Sequence, residues 1–561
     1  MGANFLDSTD AFLADATRGF VAARPDVRWD RAGFLARRDS VPNGRVAVIS
    51  GGGSGHEPLH SGFLGEGMLA AVCPGLVFTS PNALQIAAAT RAVDTGAGVL
   101  HIVKNYTGDV MNFRIARDIA AESAVPTDVV LVDDDVATES DDGPGRRGTA
   151  ATVVVEKLCG AAAARGDALA DVAALGRRVA AGARSMSVAL SPCRVPGSAE
   201  PSFDLEPGQM EVGIGIHGER GTERTDVAPT KAVVRLLLDR ILPSADIGAG
   251  EQVFVVVNGL GATHSLELHL LFGNVVEELS ARGIVVVRSL VGTFVTALDM
   301  AGASITVVKA DAAMVELWDA PTSAPAWPRV TGGPVGELAD TTFAEPDDAA
   351  ASGAENRWLT AFVTKVHNEI DHLTALDRQA GDGDFGTNMA AALDHYELPL
   401  RGDDRTVLTA LSTSFLVRAG GTSGAVFGTF FRALAQEWPD ELSVADVARA
   451  VRAGLDQVQA LGGAQVGDKT VVDALSPAAA ALDAADDDVD AAFATAARAA
   501  AEGVAATESS IAHRGRASYV GEAARGVPDP GALVTSWLFE AWAGVTRQLC
   551  TQSDHCNCRD T

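Results

Sequence analysis

The sequence predicts a multidomain chain with an N-terminal α/β part and a C-terminal all-α part. Three observations carry that reading. Short apolar, β-branched runs alternate with helix-spaced segments from about residue 45 to 290, the pattern of strands and covering helices. Residues 319–356 then hold Pro321, Pro325, Pro328, Pro334 and Pro346 and no helix-length apolar period, which reads as a linker. Beyond it only helical spacing remains. A length of 561 residues is ample for two or more full cores.

In order, residues 8–22 read as a capping helix, followed by an Arg-rich approach to the first strand. Arg45 to Ile49 is a buried parallel strand, which the glycines of Ser50-Gly51-Gly52-Gly53-Ser54-Gly55-His56-Glu57-Pro58 are expected to break into a ligand-facing turn. Residues 99–103 and 128–132 are further strands, with helices over 81–95 and 112–123. A parallel sheet covered on both faces follows from that alternation. A second α/β unit is expected from about residue 205. Its strands are Glu211 to His217, Gln252 to Asn258 and Gly283 to Arg288, with a helix over 266–282. In the first of them, Gly213, Gly215 and His217 would share one face.

After the linker, Leu359, Phe362, Val363, Val366, Ile370 and Leu373 mark an amphipathic helix. Further helices are expected at 387–394, 405–418, 424–437, 443–460, 470–483, 487–506 and 531–549.

Composition excludes some functions. There are 44 basic and 73 acidic residues, a formal net charge of −29, which argues against nucleic acid or an anionic membrane as partner. No apolar run reaches the ~20 residues of a membrane span. The acidic start lacks a signal-peptide pattern, so a cytoplasmic, reduced protein is expected. Six cysteines are too few for a disulfide framework. Cys73, Cys159 and Cys193 read as core thiols. Cys550, His555, Cys556 and Cys558 crowd the C-terminal end at no standard zinc spacing and read as a loose tail.

Four constellations suit chemistry. The glycine stretch with His56 is one. Lys104-Asn105-Tyr106-Thr107-Gly108-Asp109, directly after a strand, places an amine and a carboxylate where α/β sheets bind ligands. His217, among glycines, can act as a base or as a nucleophile toward a carbonyl. Asp377, Asp382 and Asp384 fall within eight residues of a glycine-bent loop, offering hard oxygens for Mg²⁺ that would be shared with a polyphosphate. No Walker motif is present, and Gly463-Ala464-Gln465-Val466-Gly467-Asp468-Lys469-Thr470 is only a near miss. Gly420 to Gly424 precede a helix and offer an anion site instead. Arg514, Arg516 and Asp529 to Gly531 are placed to close over a nucleotide.

These residues resemble the single-chain ATP-dependent dihydroxyacetone (glycerone) kinases. GGGSGHEP from Gly51, VKNYTGDVMNF from Val103, GIGIHGE from Gly213, LDRQAGDGDFGTNM from Leu376, GGTSG from Gly420, GDKT from Gly467, and RGRASYVGE from Arg514 with DPGA from Asp529 occur in that family's order. The resemblance implies a substrate domain over 6–328, a linker over 329–353 and a nucleotide domain, a helical barrel, over 354–550. It implies that His217 holds dihydroxyacetone as a covalent hemiaminal and that Gly53, Ser54, Gly55, His56, Lys104 and Asp109 line the pocket. His56 and Asp109 would assist proton removal from the attacking hydroxyl. Asp377, Asp382 and Asp384 would hold Mg²⁺ on the ATP phosphates. Nucleotide contacts would come from Asp384, Phe385, Gly386, Thr387, Thr422, Ser423, Gly462, Val471, Arg514, Asp529, Pro530 and Gly531. The family also implies a homodimer. Phe385, where relatives often carry a small or polar residue, Val471 in place of a frequent Met, and the Cys-containing tail depart from its pattern. A kinase for a related ketose such as erythrulose, an added FMN-forming lyase activity, and an ADP-holding phosphorelay or regulatory binding role are the alternatives.

Overall fold

A computed structural model describes residues 5–139, 145–329, 350, 352–514, 516–519 and 521–553. Most of the expected linker, and His555, Cys556 and Cys558, lie outside those residues. So do the side chains of Arg516 and Cys550. The chain divides into two units, Met1–Leu338 and Ala339–Thr561.

The first unit begins with α1 (Phe12–Ala23) and holds two six-stranded sheets. The strands of the first sheet are β1 (Val27–Trp29), β2 (Leu35–Arg37), β3 (Ala47–Ser54), β4 (Ala71–Val77), β5 (Val99–Lys104) and β6 (Thr127–Val132). They lie in the order β1-β2-β4-β3-β5-β6, with β4, β3, β5 and β6 parallel and an antiparallel edge at β1 and β2. Helices α2 (Ala83–Val93), α3 (Thr107–Glu122), α4 (Ala151–Arg165) and α5 (Leu169–Ala181) accompany it. β4 escapes sequence reading because Pro74 and Gly75 interrupt it. Helix α4 is buried without a break from Ala151 to Ala163, and so lacks a polar face. Cys73, Cys159 and Cys193 are buried free thiols.

The glycine stretch corrects an expectation. β3 does not break at Gly51 but runs on to Ser54. A Cβ on Gly51 would lie 2.6 Å from the Cys73 carbonyl oxygen, and one on Gly53 2.6 Å from the Thr79 nitrogen. These glycines let neighbouring backbone close in. The left-handed turn comes only at Gly55, φ +99°.

The second sheet is made of β7 (Ala183–Ala189), β8 (Gln209–Val212), β9 (Glu223–Asp226), β10 (Gln252–Gly259), β11 (Val285–Gly292) and β12 (Gly302–Lys309). Their order is β11-β10-β12-β7-β8-β9 and only β10 and β11 pair parallel. The boundary expected near 205 is therefore too late. β7 reads Ala-Arg-Ser-Met-Ser-Val-Ala, too polar to stand out, yet it is wholly buried in this sheet. The strand expected over 211–217 ends at Val212, because Gly213 turns away at φ +75°. The alternation of Gly213, Gly215 and His217 on one strand face does not occur. Helices α6 (Thr230–Ser244), α7 (Ser265–Ala281) and α8 (Ala312–Asp319) complete the unit.

The second unit is all helical among the described residues: α9 (Arg357–Asn368), α10 (Ile370–Ala380), α11 (Phe385–Leu393), α12 (Asp404–Arg418), α13 (Gly421–Glu437), α14 (Val444–Gly462), α15 (Val471–Asp483), α16 (Val489–Ser509) and α17 (Pro530–Ser553). The one amphipathic helix expected over 359–373 is two. Glu369 leaves helical geometry at φ −115°, ψ 9°, ending α9 and starting α10, while the apolar period runs on across the joint. Thr470 and Asp473 form a capping box that starts α15.

Candidate active site

In the first unit, the turn after β3 brings His56 to the turn that carries His217. Their ring centroids lie 4.8 Å apart, edge on. Phe78 stacks on His56 at 5.2 Å, and the Tyr106 ring meets His217 at 4.5 Å. His56 is fully buried, and its Nδ1 donates to the Thr296 carbonyl at 2.7 Å. A carbonyl only accepts, so the proton sits on Nδ1 and Nε2 keeps a lone pair. That Nε2 has no hydrogen-bond partner among the described residues. Burial, then the charges near His217 and Lys104, hold the His56 pKa well below the usual imidazole range. Burial also pulls His217 down to about 4, against the opposing pull of Glu219. Both rings are therefore neutral near pH 7.

Lys104 ends β5 and Asp109 lies in the first turn of α3, both buried. Burial raises the Asp109 pKa, while Lys104 and a Ser80 hydrogen bond lower it. A carboxyl poised this way is a better base than an exposed one. Gly55 clears the edge of Phe78, since a Cβ there would lie 2.8 Å from the ring. The Ser54 hydroxyl donates to the Gly75 carbonyl at 2.7 Å and so holds β3 against the end of β4.

Several residues here carry no sequence signal. Arg147 donates to the Gly213 carbonyl (2.9 Å), Glu219 (2.9 Å) and Asp135 (2.8 Å). Glu219 in turn accepts from the His217 backbone N–H at 3.0 Å. Arg147 thus ties together both ends of the His217 turn. Glu156, His60 and Lys104 form a buried chain behind the glycines, with Glu156 Oε1 to His60 Nδ1 at 2.6 Å and His60 Nε2 to Lys104 Nζ at 2.8 Å. The one available hint was Glu156 and Lys157 inside the apolar run of α4.

The second unit gathers a cavity of about 290 Å³ from the starts of four helices, α11, α13, α15 and α17. Unpaired N–H groups and the positive dipole end make each start favourable for anions. Asp384, Phe385, Thr422, Ser423, Gly462, Val471, Arg514, Asp529, Pro530 and Gly531 all line it. Gly386 and Thr387 fall outside that wall: Gly386 packs on Ile370 and Thr374, and Thr387 is exposed. Asn388 and Phe427 line it without having been anticipated.

On the same wall, oxygens of Asp377, Asp382 and Asp384 lie within 4.8 Å of one another. Asp377 lies in the last turn of α10, Asp384 stands at the N-cap position of α11, and the Phe385 N–H donates to Asp377 at 3.1 Å. Three hard oxygens beside an anion-favouring cavity fit Mg²⁺ carried with a polyphosphate. Lys469, the lysine of the near-Walker stretch, lines the cavity too, but its ammonium is engaged by backbone. Its ammonium donates to the carbonyls of Thr507 (2.8 Å), Ala524 (2.8 Å) and Val527 (2.7 Å) and pins the segment that carries Arg514. Burial, followed by the neighbouring Asp473 and Asp377 charges, lifts Asp529 to about 7 against its hydrogen bond from Ala532 and the Lys469 charge.

Comparison with known proteins adds to this geometry. The chain matches the Dak1 domain over residues 18–326 and the DAK2 domain over residues 379–544. It is 38% identical to a triokinase/FMN cyclase of Rattus norvegicus over 96% of this chain and 97% of that protein. It is 36% identical to an L-erythrulose 1-kinase of Mycolicibacterium smegmatis, covering 96% of this chain and 98% of that protein. Among solved structures it is similar to the dihydroxyacetone kinase from C. freundii in complex with AMP-PNP and Mg²⁺. That match has a TM-score of 0.65 at 31% identity and covers 97% of this chain and 100% of the other. Among the described residues no helix is long and apolar enough to cross a membrane.

Proposed function

The chain belongs to the dihydroxyacetone kinase family, and from that premise we propose that it transfers the γ-phosphoryl group of ATP to a terminal hydroxyl of dihydroxyacetone. The observation that carries this reading is the pairing of chemistries: two neutral imidazoles in contact in one unit, and an anion cavity walled by three carboxylates in the other.

The neutral His217 ring adds to the ketone carbon. A C–N bond forms, the carbonyl π bond breaks, and the oxygen takes up the proton that the ring gives up, leaving a hemiaminal. Capture fixes the terminal hydroxyl and favours carbonyl compounds over glycerol. The proton of the attacking hydroxyl passes to the open Nε2 of His56 or to Asp109. Asp377, Asp382 and Asp384 would hold Mg²⁺, which when bound neutralises phosphate charge. The helix starts and Arg514 would hold the phosphates themselves. Assembly as a homodimer belongs to the same reading and is checked by light scattering.

A four-carbon ketose is the second reading, supported by the similarity to an L-erythrulose 1-kinase. A coupled assay of ADP release with dihydroxyacetone, erythrulose and glycerol decides between them. Turnover with the ketones and a ketone-dependent mass increase of the intact chain are expected. Glycerol turned over as fast as the ketones would overturn carbonyl capture, and no turnover with any of them would overturn the kinase reading.

A further inference from the structure

The buried chain of Glu156, His60 and Lys104 has no part in the mechanism above. All three side chains are at most 3% exposed. Glu156 lies within the fully buried stretch Ala151–Ala163 of α4. A core that needed only packing would be better served by hydrocarbon, because burying ionisable groups is costly even when they are paired. The backbone is also shaped for this chain. A Cβ on Gly52 would lie 2.1 Å from Lys104 Nζ, so only glycine lets the amine reach this spot.

The hydrogen bonds give the arrangement a direction. Lys104 Nζ lies 2.8 Å from His60 Nε2 and 3.4 Å from the Gly51 carbonyl, which can only accept. An ammonium has donors and no acceptor, so Nε2 must carry the lone pair and the His60 proton must sit on Nδ1. Nδ1 then donates to Glu156 at 2.6 Å. The chain reads carboxyl, neutral imidazole, ammonium, joined by two short hydrogen bonds.

We infer that Glu156 and His60 are positioning residues that hold the Lys104 amine against the glycines at the end of β3, beside the substrate site. This rests on the reading of that site as the ketose site. The charged and titratable groups that face Lys104 are Glu156 on α4, Asp109 on α3, His56 and His60 after β3, and His217 on its own turn. Burial lowers the Lys104 pKa, and Asp109 and then Glu156 oppose that shift. Glu156 fixes the tautomer and orientation of His60, which in turn holds the amine; burial lifts Glu156 to about 8, so its own charge is added only as pH rises toward that value. An ammonium so placed can donate to a substrate oxygen without drifting toward solvent.

The test uses the full chain and its Glu156→Gln variant. The alkaline limb of kcat/KM for the ketose, where Glu156 is ionised, should move to lower pH by about one unit, since a lost opposite charge lowers an amine pKa by one unit or more. KM for ATP should stay the same. The ¹⁵N signal of Lys104 Nζ, assigned by its loss in Lys104→Arg, should titrate at lower pH by a similar amount. A lower melting temperature with neither titration moved would overturn the inference in favour of a purely structural role. If Glu156→Gln does not fold, the wild-type protein decides: ¹⁵N histidine spectra should show His60 with the proton on Nδ1, and a proton on Nε2 would overturn the proposal. The tautomer and the Nζ titration need no turnover, so they answer even if every ketose fails as substrate.

Discussion

The two candidate sites are built in opposite ways. In the first unit the reactive groups are shut away from water: His56, Lys104 and Asp109 are buried, and His217 is enclosed by rings. Desolvation sets their protonation. In the second unit Asp382 is exposed and Asp377 and Asp384 are only partly covered. There the chemistry comes from ligand spacing in one short loop and from helix starts converging on it. Enclosure suits a step that needs a neutral nucleophile, while an open acidic loop suits a cation that arrives with its phosphates.

The contrast breaks most readily at His217. Replacing it with Ala should lower kcat/KM for the ketose ~10²-fold or more, since an unanchored hydroxyl loses its alignment. Steady-state kinetics beside intact-mass spectrometry checks this, and a variant that keeps both its rate and its mass increase would show that enclosure is not used for capture. Asp384→Asn tests the other side. It should weaken Mg-ATP binding by calorimetry ~10-fold or more, as loss of one charged oxygen ligand to a hard cation implies, and leave the ketone-dependent mass increase intact. An equal loss of both would show that the two sites do not divide the work.

Gly52→Ala sharpens the comparison further. The new methyl would meet Lys104 Nζ, so the amine must move, and kcat/KM for the ketose should fall ~10-fold while KM for ATP holds. The smallest effects are those of pH. His217 titrates at about 4 instead of 6.5, so ketone capture should persist well below pH 6 and fade only toward pH 4. The unfolded chain takes up that proton near 6.5, so this group's stability contribution is full above 6.5 and is lost as pH falls toward 4. Glu156 runs the other way. Burial raises it from 4.5 to about 8, so its contribution is present below 4.5 and is lost as pH rises toward 8. Thermal melts from pH 4 to 8 should show both slopes, and Glu156→Gln should flatten the alkaline one.

How far each site was legible follows from the same contrast. Asp377, Asp382 and Asp384 stand within eight residues, so one loop displays them, and the helices around them carry clean apolar periods. His56, Lys104, Asp109 and His217 were legible as motif residues. Thr296, Arg147, His60 and Glu156 were not, because each acts on a partner far away in sequence: Glu156 reaches back 96 residues to His60, and Thr296 reaches 240 to His56. The glycine pattern is visible in the sequence, but the role of Gly51 to Gly53 is not. Their value at positions 51–53 is close approach within a continuing strand, which depends on what lies alongside.

The sequence by itself determined the split into an α/β part and a helical part, the acidic loop, and the motif histidines, because spacing and composition act over a few residues. Only the tertiary structure decided that the second sheet is mostly antiparallel, that β7 belongs to it, and that His217 sits on a turn. It alone decided which imidazoles are neutral and which nitrogen of His56 is open. Those properties come from neighbours brought in from distant segments and from the water they exclude, neither of which is written in local order.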